Sequence, residues 1–268
     1  MTTEESVIII TGNSKRHLYF VSELEKHFRV LKVISEAKFD YKEAYEESQD
    51  SEIVNFHFNL REKSEVTYFG EANPRSELLK LDKGMVNAPE TIEMLTKLNA
   101  DLVLLFGTSI IKNPLLEYYS GKVINLHLGL SPYYRGSGTN FWPIVDGRPE
   151  CVGATIHVAV PKVDAGPVLH QIRPEIIIES DSIHDLGNKT IITAIQVLPI
   201  VLKAYLECRL EPSAQIGLKE HEYKRLDLNS ESIKKAYANI EDGLVKEYLN
   251  HRLERNKPYP IIEFKPNI

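Results

Sequence analysis

Short, wholly apolar runs alternate with amphipathic stretches along the first three quarters of the chain. VIIIT (Val7–Thr11) has no polar alternation and is β-branched, which predicts a strand buried on both faces. The polar turn GNSKRH follows. HLYFVSELEKHF then spaces Leu18, Val21, Leu24 and Phe28 for one face of a helix. VLKVISE predicts a second strand, and strand–helix–strand is a βαβ unit with a parallel sheet. The same alternation returns with the helix APETIEMLTKLNA, the strand DLVLLFG, the short helix NPLLEYYSG and the strand KVINLHL.

Beyond KVINLHL the pattern changes. CVGATIHVAV and GPVLHQIRPEIII predict two extended strands joined by PKVDAG, and DSIHDLGNKTIITAIQVLPIVLKAYLE predicts one long helix. Residues from Phe39 to Asn87 are polar and acidic with scattered aromatics, and predict helices over the sheet or an insertion. The tail from Tyr223 predicts amphipathic helices whose apolar stripe packs internally or on a second copy. The expected organisation is an α/β domain over residues 1–210 and a C-terminal helical extension over 211–268.

Composition narrows the function classes. The formal net charge is −6, which weighs against a surface that coats nucleic acid, where affinity rests on phosphate neutralisation. Cys151 and Cys208 have no metal-ligand spacing, so no metal site is expected and both thiols are read as reduced. The N-terminus lacks a basic start and a long apolar run, and no stretch is apolar throughout for the ~18 residues of a membrane span. A cytoplasmic protein with no membrane partner is the expectation.

The chemistry gathers at VINLHLGLSPYYRG. Residues i and i+2 of a strand share a face, so Asn125 and His127 project together from a strand end, where open α/β sheets bind ligands. An amide and an imidazole there can donate to a developing oxyanion or move a proton. Asp164, in the turn between the two later strands, is placed to return to the same strand end and hold His127 in one tautomer. His157 and His170 flank that turn and are read as structural.

This set, with Pro132, Arg135, Gly136 and Gly166, resembles the 10-formyltetrahydrofolate-dependent formyltransferases. Their pattern is Asn-x-His-x-Ser-Leu-Leu-Pro-x-x-(Arg/Lys)-Gly with a downstream Asp-(Ala/Gly/Thr)-Gly; here GLS stands in place of SLL. The resemblance implies a Rossmann-like formyltransferase fold, a mostly parallel sheet flanked by helices. It implies 10-formyltetrahydrofolate as formyl donor, with Asn125, His127 and Asp164 catalytic. It places the folate on Phe106, Gly107, Thr108, Ser109, Ile110, Ile111, Val160 and Val163. A small-molecule amine would be the acceptor, met by Gly12, Asn13, Lys15 and Arg16 of the first turn and by Tyr133, Tyr134, Arg135 and Gly136 of the loop after the motif. Phe141 and Trp142 belong either to that pocket or to the core. An amino sugar linked to a nucleotide is the leading acceptor. Glycinamide ribonucleotide is the alternative, although TGNSKR departs from that enzyme's Gly-rich turn. Hydrolysis of the formyl folate, with water as acceptor, is a further one. The methionyl-tRNA members carry a C-terminal barrel, whereas this tail reads as helical.

Overall fold

A computed structural model describes residues 5–37, 40–215 and 222–265. The first βαβ unit is β1 (Ser6–Thr11), α1 (Lys15–Leu24) and β2 (Arg29–Glu36). Next come α2 (Tyr41–Ala44), α3 (Ser51–Phe69), β3 (Leu78–Leu81), α4 (Pro89–Leu98), β4 (Leu102–Phe106), α5 (Leu115–Tyr118) and β5 (Val123–His127). The remainder comprises β6 (Arg135–Gly136), α6 (Trp142–Val145), β7 (Ala154–Val158), β8 (Val168–Ile172), α7 (Ile183–Leu206), β9 (Glu222–Tyr223), α8 (Ser230–Glu241), α9 (Leu244–Asn250) and α10 (Arg252–Asn256).

The main sheet runs β3-β2-β1-β4-β5-β7-β8. The pairs from β3 to β5 are parallel, and β7 and β8 join antiparallel. β3 is a strand that the polar region 39–87 did not announce; the short run LLKL extends the sheet by pairing with β2. Strand alternation divides the core. Val7 and Ile9 of β1, Leu102 and Leu104 of β4, and Ile124 and Leu126 of β5 pack with α1 and α7. Ile8, Ile10, Val103, Leu105 and Val123 pack on the other face with α4 and α5. This two-sided burial explains why β1 and β4 carry no polar alternation. By length and composition α7 would also suffice to cross a bilayer, and half of its most apolar window is buried inside the protein.

The C-terminal helices pack inward. Ile233, Ala236, Leu244 and Val245 join Trp142, Ile144, Val54 and Leu186 in a third apolar cluster. Beyond them the chain lies along β8, where Gln171 donates its backbone N–H to Ile262 O at 2.7 Å and Ile262 N donates to Gln171 Oε1 at 3.0 Å.

Ile9, fully buried on the central strand β1, reports on this core. Ile9→Ala should destabilise the protein by about 3 kcal/mol, read as a lowered midpoint in urea denaturation, because the lost methyls leave a cavity that neighbouring strands cannot close.

Candidate active site

The switch from parallel to antiparallel pairing makes a polar row. Ile124 and Leu126 of β5 are taken by the core, so Asn125 and His127 face the other way. β7 sets His157 opposite Asn125 and Thr155 opposite His127, and β8 sets Gln171 opposite Thr155. Two of these residues hold the loop that follows β5. Thr155 Oγ1 donates to Gly129 O at 2.7 Å and accepts from Ser131 N at 3.0 Å, and Gln171 Nε2 donates to Ser131 O at 2.6 Å.

Asp164 reaches this row from the loop between β7 and β8, with its backbone in the left-handed region at φ 47°. Gly166 next to it has no room for a side chain, since a Cβ would lie 1.7 Å from Val158 O. The carboxylate Oδ2 is 3.3 Å from His127 Nδ1 and accepts from Gly136 N at 3.1 Å. Its Oδ1 accepts from Asn125 Nδ2 at 3.3 Å. His127 Nε2 lies 3.1 Å from Tyr134 O. Gly129 closes the far side, because a Cβ there would stand 2.6 Å from His127 Nε2.

His157, read from sequence as structural, belongs to this group. Its Nδ1 is 3.0 Å from Val158 O and must donate there, which leaves Nε2 to accept from Asn125 Nδ2 at 3.0 Å. Asp164 Oδ1 is 3.6 Å from the same nitrogen. The signal lay in the antiparallel register, which sequence alone does not supply. Both amide hydrogens of Asn125 therefore face acceptors already, and offering one to a ligand means releasing His157 or Asp164.

Burial is the largest influence on both ionisable partners. It pushes His127 below its ordinary value, against the opposing pull of Asp164 and the Tyr134 carbonyl. Burial alone would raise the Asp164 carboxyl, but His127, His157 and the Gly136 N–H hold it down at about 2. At neutral pH the pair is a carboxylate beside a neutral imidazole.

The group opens on a cleft of about 1520 Å³. One wall carries Phe106, Gly107, Thr108, Ser109, Ile110 and Ile111 with Val160 and Val163, as the sequence placed them together. Glu36, a buried carboxylate at the end of β2, fixes this wall. It accepts from Gly84 N at 2.6 Å, Ser109 N at 2.7 Å and Thr108 Oγ1 at 3.1 Å. A second wall holds Asn13, Lys15, Arg16, Arg61 and Glu65, with the aromatics Tyr41, Phe58, Phe141, Trp142 and Tyr223. Arg16 and Arg61 share Glu65, so this wall keeps net positive charge. Burial and then Arg61 lower the Arg16 pKa to about 10, against the pull of Glu65.

Four expected ligand residues are placed elsewhere. Gly12 is buried beneath Ser35, whose Oγ donates to Gly12 O at 3.1 Å. Tyr133 donates to Pro260 O at 2.8 Å, and Tyr134 donates to Asp146 Oδ2 at 2.8 Å with its ring stacked on Tyr223. Arg135 is buried and donates to Gln215. The loop lies over the polar ends of β7 and β8, so these three side chains turn away from the cleft, and the segment from Gly136 to Trp142 lines it instead. Phe141 and Trp142 belong to both the cleft and the core. From sequence His57 reads as a packed or solvated histidine and His184 as local capping at the start of α7, neither as a cleft residue. Both line the cleft, with ring centroids 4.8 Å apart, and the Tyr237 hydroxyl bridges His57 Nδ1 at 3.3 Å and His184 Nε2 at 3.2 Å. Among the described residues no cluster of His, Cys, Asp or Glu has the make-up of a metal site.

Comparison with known proteins adds to this geometry. Residues 5–202 match the family described as Formyl transferase. A phosphoribosylglycinamide formyltransferase from Haemophilus influenzae is 34% identical over 119 residues, 44% of this chain and 55% of that protein. A methionyl-tRNA formyltransferase from Halalkalibacterium halodurans is 38% identical over 100 residues, 37% of this chain and 31% of that protein. The chain thus spans about half the length of the first relative and about a third of the second. Among solved structures, an N-formyltransferase from Helicobacter canadensis in complex with folinic acid and dTDP-3-aminofucose shares the fold at TM-score 0.54 and 18% identity, covering 87% of this chain and 80% of that one.

The two histidines make stability depend on pH. Burial, then His184 and Arg61, depress His57 to about 3, and burial, then Arg61, depresses His184 to about 4. An unfolded histidine takes its proton near pH ~6.5. Between those values the unfolded chain binds more protons, so stability is full above the unfolded pKa and is lost as pH falls. The melting temperature should drop from pH 7 toward pH 4.5, and His57→Gln should flatten that drop.

Proposed function

Because the chain belongs to the formyl transferase family, we propose that it moves a formyl group from 10-formyltetrahydrofolate to the amine of a small biosynthetic substrate, an amino sugar linked to a nucleotide. The observation that carries this reading is the convergence of Asn125, His127 and Asp164 on one cleft wide enough for two ligands. Single drug-sized ligands occupy ~300–1,000 Å³.

The folate supplies a formyl carbon activated on its N10. The residues do the rest. The wall from Phe106 to Ile111 offers backbone groups held in place by Glu36, which suits the donor-and-acceptor edge of a pterin. Attack by the amine on the formyl carbon turns its carbonyl oxygen into an oxyanion. Asn125, released from one of its partners, and His127, with its Nε2–H released from Tyr134 O, donate hydrogen bonds to that oxygen. Asp164 keeps the imidazole oriented, and the pair takes the proton that the amine sheds, directly or through a water. The pair returns it to N10 as the oxyanion collapses, the bond from the formyl carbon to N10 breaks and tetrahydrofolate leaves. On the other wall, aromatic faces and the positive charge of Lys15, Arg16 and Arg61 suit a nucleobase and a phosphate.

Glycinamide ribonucleotide remains the second reading, favoured by the Haemophilus influenzae relative. A thermal-shift series with 5-formyltetrahydrofolate present separates the two. A stabilisation by dTDP- or UDP-linked amino sugars and none by glycinamide ribonucleotide is expected; the reverse pattern would replace the sugar acceptor. A ligand at a hundredfold excess over its Kd adds about 2.7 kcal/mol of apparent stability.

Turnover tests the centre. Asn125→Ala and His127→Ala should each lower kcat by about 10²–10³-fold, the usual loss of an oxyanion donor. In the wild type, kcat at saturating acceptor should fall on the acid side of a pKa below the ordinary ~6.5 of histidine, since burial depresses His127. Asp164→Asn removes the charge that opposes this depression, so the limb should move to still lower pH while the plateau falls.

A further inference from the structure

The chain beyond residue 210 reaches back to the centre at two points. Ser213 pairs with Val168 at the start of β8, with N–H···O distances of 2.7 and 2.8 Å in the two directions. This fixes the approach of Gln215, whose Nε2 donates to Asp164 O at 2.9 Å and to Gly166 O at 2.8 Å. Its Oε1 accepts from the buried Arg135. A few residues on, β9 pairs with β6, and Tyr223 O accepts from Ser137 N at 2.8 Å. That pairing packs Tyr223 so close to Gly136 that a Cβ there would lie 2.2 Å from Tyr223 O. Gly136 in turn supplies the N–H that Asp164 accepts.

We propose that Gln215 is a positioning residue for the catalytic carboxylate, and that the segment after residue 210 is a working part of the active site. The proposal rests on the formyl-transfer reading of that carboxylate. Asp164 needs such a clamp. Its left-handed backbone conformation is uncommon outside glycine, although Asp adopts it more readily than most residues, and contacts from the surroundings help hold it there. The loop around it makes little regular structure of its own, with Ala165 N reaching Lys162 O at 3.4 Å. A single amide nitrogen on the carbonyls at both ends of the Asp164–Gly166 turn fixes the direction in which the carboxylate leaves the backbone. Arg135 orients that amide, since an oxygen bound to the guanidinium turns the NH₂ toward the turn. Arg135 therefore serves the site from behind, although its side chain points away from the cleft.

The test uses full-length protein carrying Gln215→Ala and Gln215→Glu. Glutamate keeps the size of the side chain and an acceptor for Arg135, but it has no hydrogens for the two carbonyls. If the clamp acts on the turn, both variants should lose at least about tenfold in kcat while KM for each substrate stays within about twofold. If the only use of Gln215 is to partner Arg135, Gln215→Glu will match the wild type, and the proposal falls. It falls equally if Gln215→Ala keeps wild-type kcat.

A measurement without substrate separates this from the proposed function. The His127 ring sits against Asp164, His157 and Arg135, and its titration by NMR reads the distance to the carboxylate. In Gln215→Ala the pKa should fall by about half a unit or more, in the direction of Asp164→Asn. An unchanged or raised value overturns the clamp. Melting temperature, recorded alongside, shows whether each variant is folded at the temperature of the titration. Lack of turnover in the wild type would overturn formyl transfer and leave the NMR comparison standing.

Discussion

A carboxylate taken out of water stays charged only if donors and positive partners replace the water it lost. Asp164 has its side chain almost wholly buried and is nevertheless held at about 2, below the ordinary carboxylate range. The replacements come from separate parts of the chain: Asn125 and His127 on β5 and the Gly136 N–H on β6. None of them is close to Asp164 in sequence. The sheet must therefore add β7 antiparallel beside β5, and the loop after β5 must fold back over the polar row, before the charge can be accommodated. Gly129, Gly136 and Gly166 are required by the same closeness, since a Cβ at each would collide with His127, Tyr223 or Val158. The motif is thus a single packing solution around one charge rather than a list of independent residues.

That view separates what the sequence discloses from what it withholds. Strands β1 and β4 were legible because burial on both faces leaves an unbroken apolar run. The shared face of Asn125 and His127 followed from strand alternation, and the return of Asp164 from its place in the turn between β7 and β8. His157 was not legible, because its role depends on the register of an antiparallel pair. Nor was the direction of Tyr133, Tyr134 and Arg135. A loop has no period, so its side chains point where tertiary contacts take them, here to Pro260, Asp146 and Gln215. Gln215 lies in a stretch with no pattern, and only the folded chain brings it to the turn.

The stretch 39–87 was opaque for a related reason. Its main helix, α3, packs against α1 and α7 as well as α8, so it has no single apolar face to read. Val54 and His57 are buried near α8 and Glu65 and Phe69 nearer α1, and the polar members of this set serve the cleft. The two walls of that cleft are accordingly built from different materials. Backbone on β4 and its following loop, fixed by Glu36, forms one wall. Charged and aromatic side chains, many from α2 and α3, form the other. A wall of backbone presents the same groups whatever side chains it carries, whereas a wall of side chains can be changed residue by residue. On the function proposed above, acceptor choice belongs to the second.

The histidine pair on that second wall shows how its charge is limited. Arg16 and Arg61 already outnumber Glu65, and another cation beside them would add repulsion in a buried setting. His57 and His184 stay neutral there, and their neutrality is what allows the Tyr237 hydroxyl to bridge them. A hydroxyl has one hydrogen to give, so one ring must accept it while the other donates to the oxygen. Two neutral rings supply one of each. A protonated ring has no lone pair, so charging the ring that accepts leaves the Tyr237 hydrogen without a partner. The same buried surroundings that depress these two pKa values therefore also let one hydroxyl link α3, α7 and α8, beside the apolar packing of Val54, Leu186 and Ile233.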